Sequence, residues 1–149
     1  MNKKIMKNDG FTLVELLAVI VIIAVIALIT TPIVLNVVQN SKESAFKDTA
    51  HGLVLAAGTY QAQQQALNRD TTLTINYATS SASEKDLLKT KGTLPDAGEL
   101  SIDSKGKVTL ALWSNDAKVC VVKKANAKEV TVNKNIKSAS NCKIANIDK

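Results

Sequence analysis

Residues 16–29 read LLAVIVIIAVIALI, fourteen apolar residues in a row, and Glu15 stands immediately before them. A run of that length is too long for a buried strand. It is also too apolar all round for a surface helix, so it predicts a helix that meets no water on any side. Residues 16–35 make twenty positions, which at 1.5 Å rise span the roughly 30 Å hydrocarbon core of a bilayer. An ordinary secretory signal has a shorter apolar region followed by a small-x-small cleavage site; here the run flows instead into a further helical pattern. The residues before it carry Lys3, Lys4 and Lys7 against Asp9, and the positive-inside rule keeps that end cytoplasmic while the rest is exported. Glu15 is then the anomaly. A carboxylate placed in lipid costs a few kcal/mol on insertion scales, so it either snorkels to the membrane surface or is kept for a partner.

Beyond residue 38 the texture changes without a break. Phe46, Ala50, Leu53, Ala57, Tyr60, Gln64 and Leu67 recur at alternating spacings of four and three, one stripe of an amphipathic helix. Lys47, Asp48, His51, Thr59 and Gln63 lie opposite. One helix is therefore expected over residues 11–67, about 85 Å long, apolar all round over 11–38 and one-sided over 39–67. Gly52 and Gly58 weaken it by about 1 kcal/mol each. Pro32 lacks an N–H and is expected to kink or open the helix, with the Thr30 and Thr31 hydroxyls available to the freed carbonyls.

Residues 68–149 read as a globular domain. A short extended piece is expected at 73–77, a brief capped helix from Ser83, and a loop at 94–98. Strands follow at 99–103, 107–113, 118–123 and 129–132. In the second of these four, Val108, Leu110 and Leu112 alternate with Thr109, Ala111 and Trp113 as in a half-buried strand. The fold class is α+β, with the long helix laying its stripe on one face of a C-terminal antiparallel sheet.

The formal charge is +6. Its source is residues 117–149, with eight Lys against Glu129 and Asp148. A basic surface of this kind meets nucleic acid, anionic lipid or cell-wall polymers, or is simply a solvated face. Aromatics are only 3%, so platforms for stacking single-stranded bases are scarce. Cys120 and Cys142 are too few for a four-ligand zinc site, and the single His51 is far upstream in a helical stretch. The two cysteines either form a disulfide or stay as partly buried thiols. The disulfide would close a loop of about 23 residues, contribute roughly 3 kcal/mol, and imply an oxidising compartment. It would also hold residues 139–149, which have only Ile144 and Ile147 to bury, and would present Lys123, Lys124, Lys128, Lys134 and Lys137 outwards. No nucleophile–base pair, metal-spaced cluster or phosphate-cradling glycine loop is written in the chain, so neither an enzyme nor a cofactor or metal is expected.

Gly10-Phe11-Thr12-Leu13-Val14-Glu15 behind a short lysine-bearing leader resembles the class III signal of type IV pilins and of type II secretion pseudopilins. Glu15 is the fifth residue after the Gly-Phe junction and Pro32 the twenty-second, as that pattern has them. The match covers the leader and the first half of the helix closely; beyond about residue 60 it is architectural only. The resemblance implies that residues 1–10 are a leader, cut off at Gly10–Phe11 by a prepilin peptidase, and that Phe11 is then N-methylated. Loss of Lys3, Lys4, Lys7 and Asp9 would take the formal charge from +6 to +4. It implies that Glu15 guides filament assembly by pairing with the Phe11 amine of a neighbouring subunit, and that the Cys120–Cys142 bracket is the C-terminal disulfide loop of many pilins. The expected function is a structural subunit, a single-pass membrane protein that joins identical copies and assembly machinery in an extracellular pilus for adhesion, motility or colonisation. The alternative is a pseudopilin of a secretion or competence (DNA-uptake) system. A lysine-rich C-terminus disfavours the acidic calcium loop common in secretion pseudopilins. The same lysines leave room for weak binding to DNA or other anionic surfaces.

Overall fold

The computed structural model describes residues 10–147. The chain divides into two compact units, Met1–Val38 and Gln39–Lys149. Helix α1 (Leu13–Ala66) runs through the boundary between them. In the first unit it is apolar on every side, and each large apolar side chain from Phe11 to Val38 is exposed, from 45% at Val38 to 90% at Phe11.

In the second unit the helix has an inside. Phe46, Thr49, Ala50, Leu53 and Ala57 are buried, and Tyr60 and Gln64 are half-buried. The stripe ends there: Leu67, expected as its last member, lies past the helix and is 59% exposed. The covering surface is a five-stranded antiparallel sheet in sequential order: β1 (Leu73–Asn76), β2 (Ala97–Ile102), β3 (Val108–Ser114), β4 (Val119–Lys123) and β5 (Thr131–Asn133). A sequential meander needs only short connections, and its register pairs Leu100 with Leu110 and Leu112 with Val121. Side chains alternate across a strand. Accordingly Ile75, Leu100, Ile102, Val108, Leu110, Leu112 and Val121 join Phe46, Ala50, Leu53 and Ala57 in one core. The α+β architecture expected from the sequence is present.

The short helix α2 (Ala82–Lys85) starts two residues earlier than expected. Ser81 rather than Ser83 is its cap, because Ser81 and Glu84 have the three-residue spacing that lets each side chain bond the other's backbone N–H. Strand β2 also begins earlier, at Ala97, and carries Gly98 at φ +108° inside it. An added Cβ there would run into the Ala111 carbonyl oxygen and lie 2.8 Å from Leu112 Cα. Only glycine fits.

The far face of the sheet is covered as well. Ala111, Trp113, Cys120 and Val122 form a second core with Ile136, Cys142 and Ile147, packed further by Ala97, Ala139 and Ile144. The cover is a strap over residues 134–147 whose only regular structure is two 3-10 turns, Ala139–Asn141 and Ile144–Asn146. Two ties hold it. Cys120 and Cys142 form a disulfide, and the half-buried Glu99 accepts the Ile144 N–H at Oε2 (3.2 Å).

Lys123, expected to point outwards, is 8% exposed. It ends β4 on the helix-facing side, the side of Val121 two residues earlier. Its Nζ reaches over the sheet end to donate to the carbonyls of Val108 (3.0 Å) and Lys124 (3.4 Å). Burial pushes its pKa below the usual lysine value.

Candidate processing and assembly site

Residues 10–15 take their geometry from how α1 begins. A helix start leaves four backbone N–H groups without intrahelical acceptors. Here side chains satisfy two of them, those of Thr12 and Glu15. The Thr12 hydroxyl accepts from the Glu15 N–H (3.3 Å), while Glu15 Oε2 accepts from both the Thr12 N–H and the Thr12 hydroxyl (2.8 Å each). The Thr12 carbonyl takes the first helical bond, from the Leu16 N–H (3.2 Å). This reciprocal arrangement is a capping box. Its signature, Thr-x-x-Glu, stands in the sequence, where Glu15 is expected either to snorkel to the membrane surface or to be kept for a partner. The carboxylate has one within its own chain.

Gly10 and Phe11 lie outside the helix, just ahead of the cap, and both are exposed. The peptide bond between them is therefore free of helical hydrogen bonding, and its flanking backbone groups are open to another molecule. Gly10 meets no demand of the fold. A Cβ added to it would find no atom within 4 Å.

At Pro32, where a kink or local opening is expected, α1 is continuous. One missing N–H removes one bond from a long ladder, and the Thr hydroxyls do not repair that gap. Thr30 Oγ1 donates to the Ile26 carbonyl (3.0 Å) and Thr31 Oγ1 to the Ala27 carbonyl (2.7 Å). The carbonyl orphaned by proline is that of Leu28, four residues back. The threonines instead satisfy their own hydroxyls against the helix, the ordinary solution for Thr in apolar surroundings.

Downstream of this segment the first unit presents hydrocarbon, interrupted among the side chains to Val38 by Thr30, Thr31 and Asn36. α1 is the one helix among the described residues long and apolar enough to cross a membrane, and its most apolar stretch is wholly uncovered. The disulfide is far along the chain, under the strap, with both cysteines fully buried. His51 is half-buried on α1, and among the described residues no three His, Cys, Asp or Glu side chains gather.

Residues 5–31 match the family model described as the prokaryotic N-terminal methylation motif. Comparison with curated proteins and with solved structures finds no match. The matched span contains the Gly10–Phe11 junction, the Thr12–Glu15 box and the whole apolar run over 16–29. The chain thus opens with the class III signal of the type IV pilin and pseudopilin family.

Proposed function

We propose that the chain is a type IV pilin subunit, made with a cytoplasmic leader over residues 1–10. It is held in the membrane by residues 11–38, and its exported domain is formed by 39–67 and 68–149. A prepilin peptidase cuts Gly10–Phe11, Phe11 is N-methylated, and identical copies polymerise into an extracellular filament. The role is structural rather than catalytic. The observation that carries this reading is the methylation motif over 5–31 leading into a helix half with no intramolecular cover. Apolar surface of that extent is stable only in lipid or against other apolar helices, and passage from the first to the second is what filament growth requires. Gly10 supports the cut, because the fold itself has no use for a glycine there.

Glu15 has two tasks in this reading. In the lone subunit it closes the capping box. In the filament core, where an unpaired charge is costly, it pairs with the Phe11 amine of a neighbour and sets the axial register. Two substitutions separate the tasks. Glu15→Gln keeps a capping-box side chain and loses the charge; Glu15→Ala loses both. Filament yield, counted by electron microscopy in cells without wild-type subunit, should fall sharply for both while membrane insertion persists. Wild-type yield from Glu15→Gln would reduce Glu15 to a cap. Mass spectrometry of the exported protein should find a chain beginning at Phe11 with one added methyl group, and Gly10→Val should leave the uncut precursor in the membrane. Exported protein still carrying Met1 would refute the assignment.

The pseudopilin alternative gains no specific observation from the C-terminal region. Residues 130–147 contain no Asp or Glu, so that stretch brings no carboxylate to a calcium loop.

A further inference from the structure

Past β5 the strap makes two turns, and asparagine holds both. The Asn133 side-chain oxygen accepts the Asn135 N–H (3.0 Å), and the Asn133 carbonyl accepts the Ile136 N–H (3.4 Å). The Asn141 carbonyl accepts twice, from the Lys143 N–H and from the Asn146 side-chain amide (3.0 Å each). Cys142, next to Asn141, is tied to Cys120 in β4. Between the turns lies a cavity of about 330 Å³ lined by Asn135, Ile136, Asn141 and Asn146. Among the described residues, none that lines it is ionisable or aromatic. Ile136 is buried and belongs to the second core. Asn135 and Asn141 are exposed and Asn146 is half-buried. The hydrogen bonds of Asn135 and Asn141 are made by their backbones, which leaves both carboxamides to solvent or to a ligand.

The chemistry of this lining selects what it can hold. A charged ligand gains no ionic partner from it. Each carboxamide offers two N–H donors and an oxygen acceptor, which suits a neutral molecule carrying both kinds of group. With no aromatic ring in the lining, neither a nucleobase nor the flat face of a plain hexose finds a surface to stack on. The one apolar wall is the Ile136 side chain, enough to cover a methyl group. We infer that the cavity binds the acetamido group of a 2-acetamido sugar. The acetamido methyl packs on Ile136, its N–H and C=O pair with the asparagine carboxamides, and ring hydroxyls take the donors and acceptors left over. The volume stands at the lower end of ligand sites, which run from about 300 to 1,000 Å³, so it takes one sugar ring. The inference goes beyond the pilin reading and does not depend on it, because every residue it uses belongs to one strap of one chain, whether or not copies polymerise.

The test uses the full chain in uncharged detergent micelles and saturation-transfer NMR, which reports the ligand protons nearest the protein. The probes are N-acetylglucosamine, its C4 epimer and glucose, each at about 10 mM, since a small neutral site of this kind binds on the order of 1 mM. The acetamido methyl of at least one amino sugar should give the strongest signal, with glucose about tenfold weaker or less. The double variant Asn135→Ala, Asn141→Ala alters only exposed side chains. It should keep its urea unfolding midpoint and lose affinity by about tenfold or more. The triple variant Lys134→Ala, Lys137→Ala, Lys143→Ala, exposed as well, should bind within about twofold of the unsubstituted chain, as should the unsubstituted chain itself when salt rises from about 50 to 200 mM. Silence from both amino sugars, or an equal signal from glucose, would overturn the inference. So would a double asparagine variant that binds as before, or a triple lysine variant that does not bind. Displacement of the sugars by a peptide carrying Nε-acetyl-lysine, at lower concentration, would overturn the sugar as the ligand.

Discussion

Ile23 and Leu53 sit on the same helix, yet one is 59% exposed and the other 0%. Neither residue type nor helical geometry makes that difference; a sheet stands over Leu53 and none stands over Ile23. The first unit has secondary structure without tertiary structure, because its hydrogen bonds close within the helix and its side chains touch little beyond it. The second unit has both, and has them twice, with a core on each face of one sheet. An apolar residue in the first unit is thus a statement about surroundings the chain has yet to meet, and one in the second is a statement about the fold.

That contrast predicts where substitutions register, read by urea unfolding of the full chain in detergent micelles. Gly98→Ala should have the largest effect, about 4 kcal/mol, by adding the strain of a positive φ to a clash with backbone that cannot move aside. Loss of less than about 1 kcal/mol would mean that β2 and β3 can separate there without harm.

The paired deletions Leu53→Ala and Ile23→Ala cut hydrocarbon from each kind of site. The first should cost about 3 kcal/mol through lost burial and a cavity. The second should stay within about 0.5 kcal/mol, as at an exposed site. Equal costs would erase the distinction between the units.

Reducing the Cys120–Cys142 disulfide should remove roughly 3 kcal/mol and release the strap first, seen as rising Trp113 exposure to a fluorescence quencher before α1 loses helicity. Thiol titration of unreduced, denatured protein should find no reactive cysteine. Two free thiols in the exported protein would contradict the bond.

The smallest effect belongs to Tyr77, whose hydroxyl is buried with no hydrogen-bond partner. Tyr77→Phe should be neutral or stabilising by up to about 1 kcal/mol at neutral pH. Burial raises the Tyr77 pKa from 10.0 to about 12. The neutral phenol is the form the fold accepts, so its contribution is intact below pH 10 and lost as pH climbs towards 12. Alkaline destabilisation in that window, at most about 1.4 kcal/mol per pH unit, should be diminished in Tyr77→Phe. An unchanged profile would show that Tyr77 ionises without penalty.

The sequence was legible wherever a period or an unbroken run imposed itself. The apolar helix, its one-sided continuation and the strands of the meander follow from spacing, with ends displaced by a residue or two as helix and strand ends generally are. The strap was not legible as a second cover. Ile136, Cys142, Ile144 and Ile147 fall at spacings of no regular element, so nothing announces that they share a face; the disulfide and Glu99 set the path that aligns them. Lys123 misled for a different reason. A charged residue at a strand end reads as solvated, and only the position of the Val108 carbonyl lets its amine be satisfied while its stem is buried. At the N-terminus the Thr-x-x-Glu signal stands in the sequence, but a carboxylate beside an apolar run fits an outside partner as well as it fits the backbone N–H groups next to it.

The capping box bears on the order in which the chain matures. Thr12 and Glu15 both lie downstream of Gly10–Phe11, so a cut at that bond leaves the two halves of the box on the same fragment. The start of α1 would then be the same before and after such a cut, and the helix would not need to reform, shorten or shift when a leader departs. On the product such a cut would change Phe11 alone, turning its peptide nitrogen into a basic amine one residue ahead of the cap. Processing in this chain would act as a change of label on a finished part, separating the moment when the helix is built from the moment when it becomes fit to be joined.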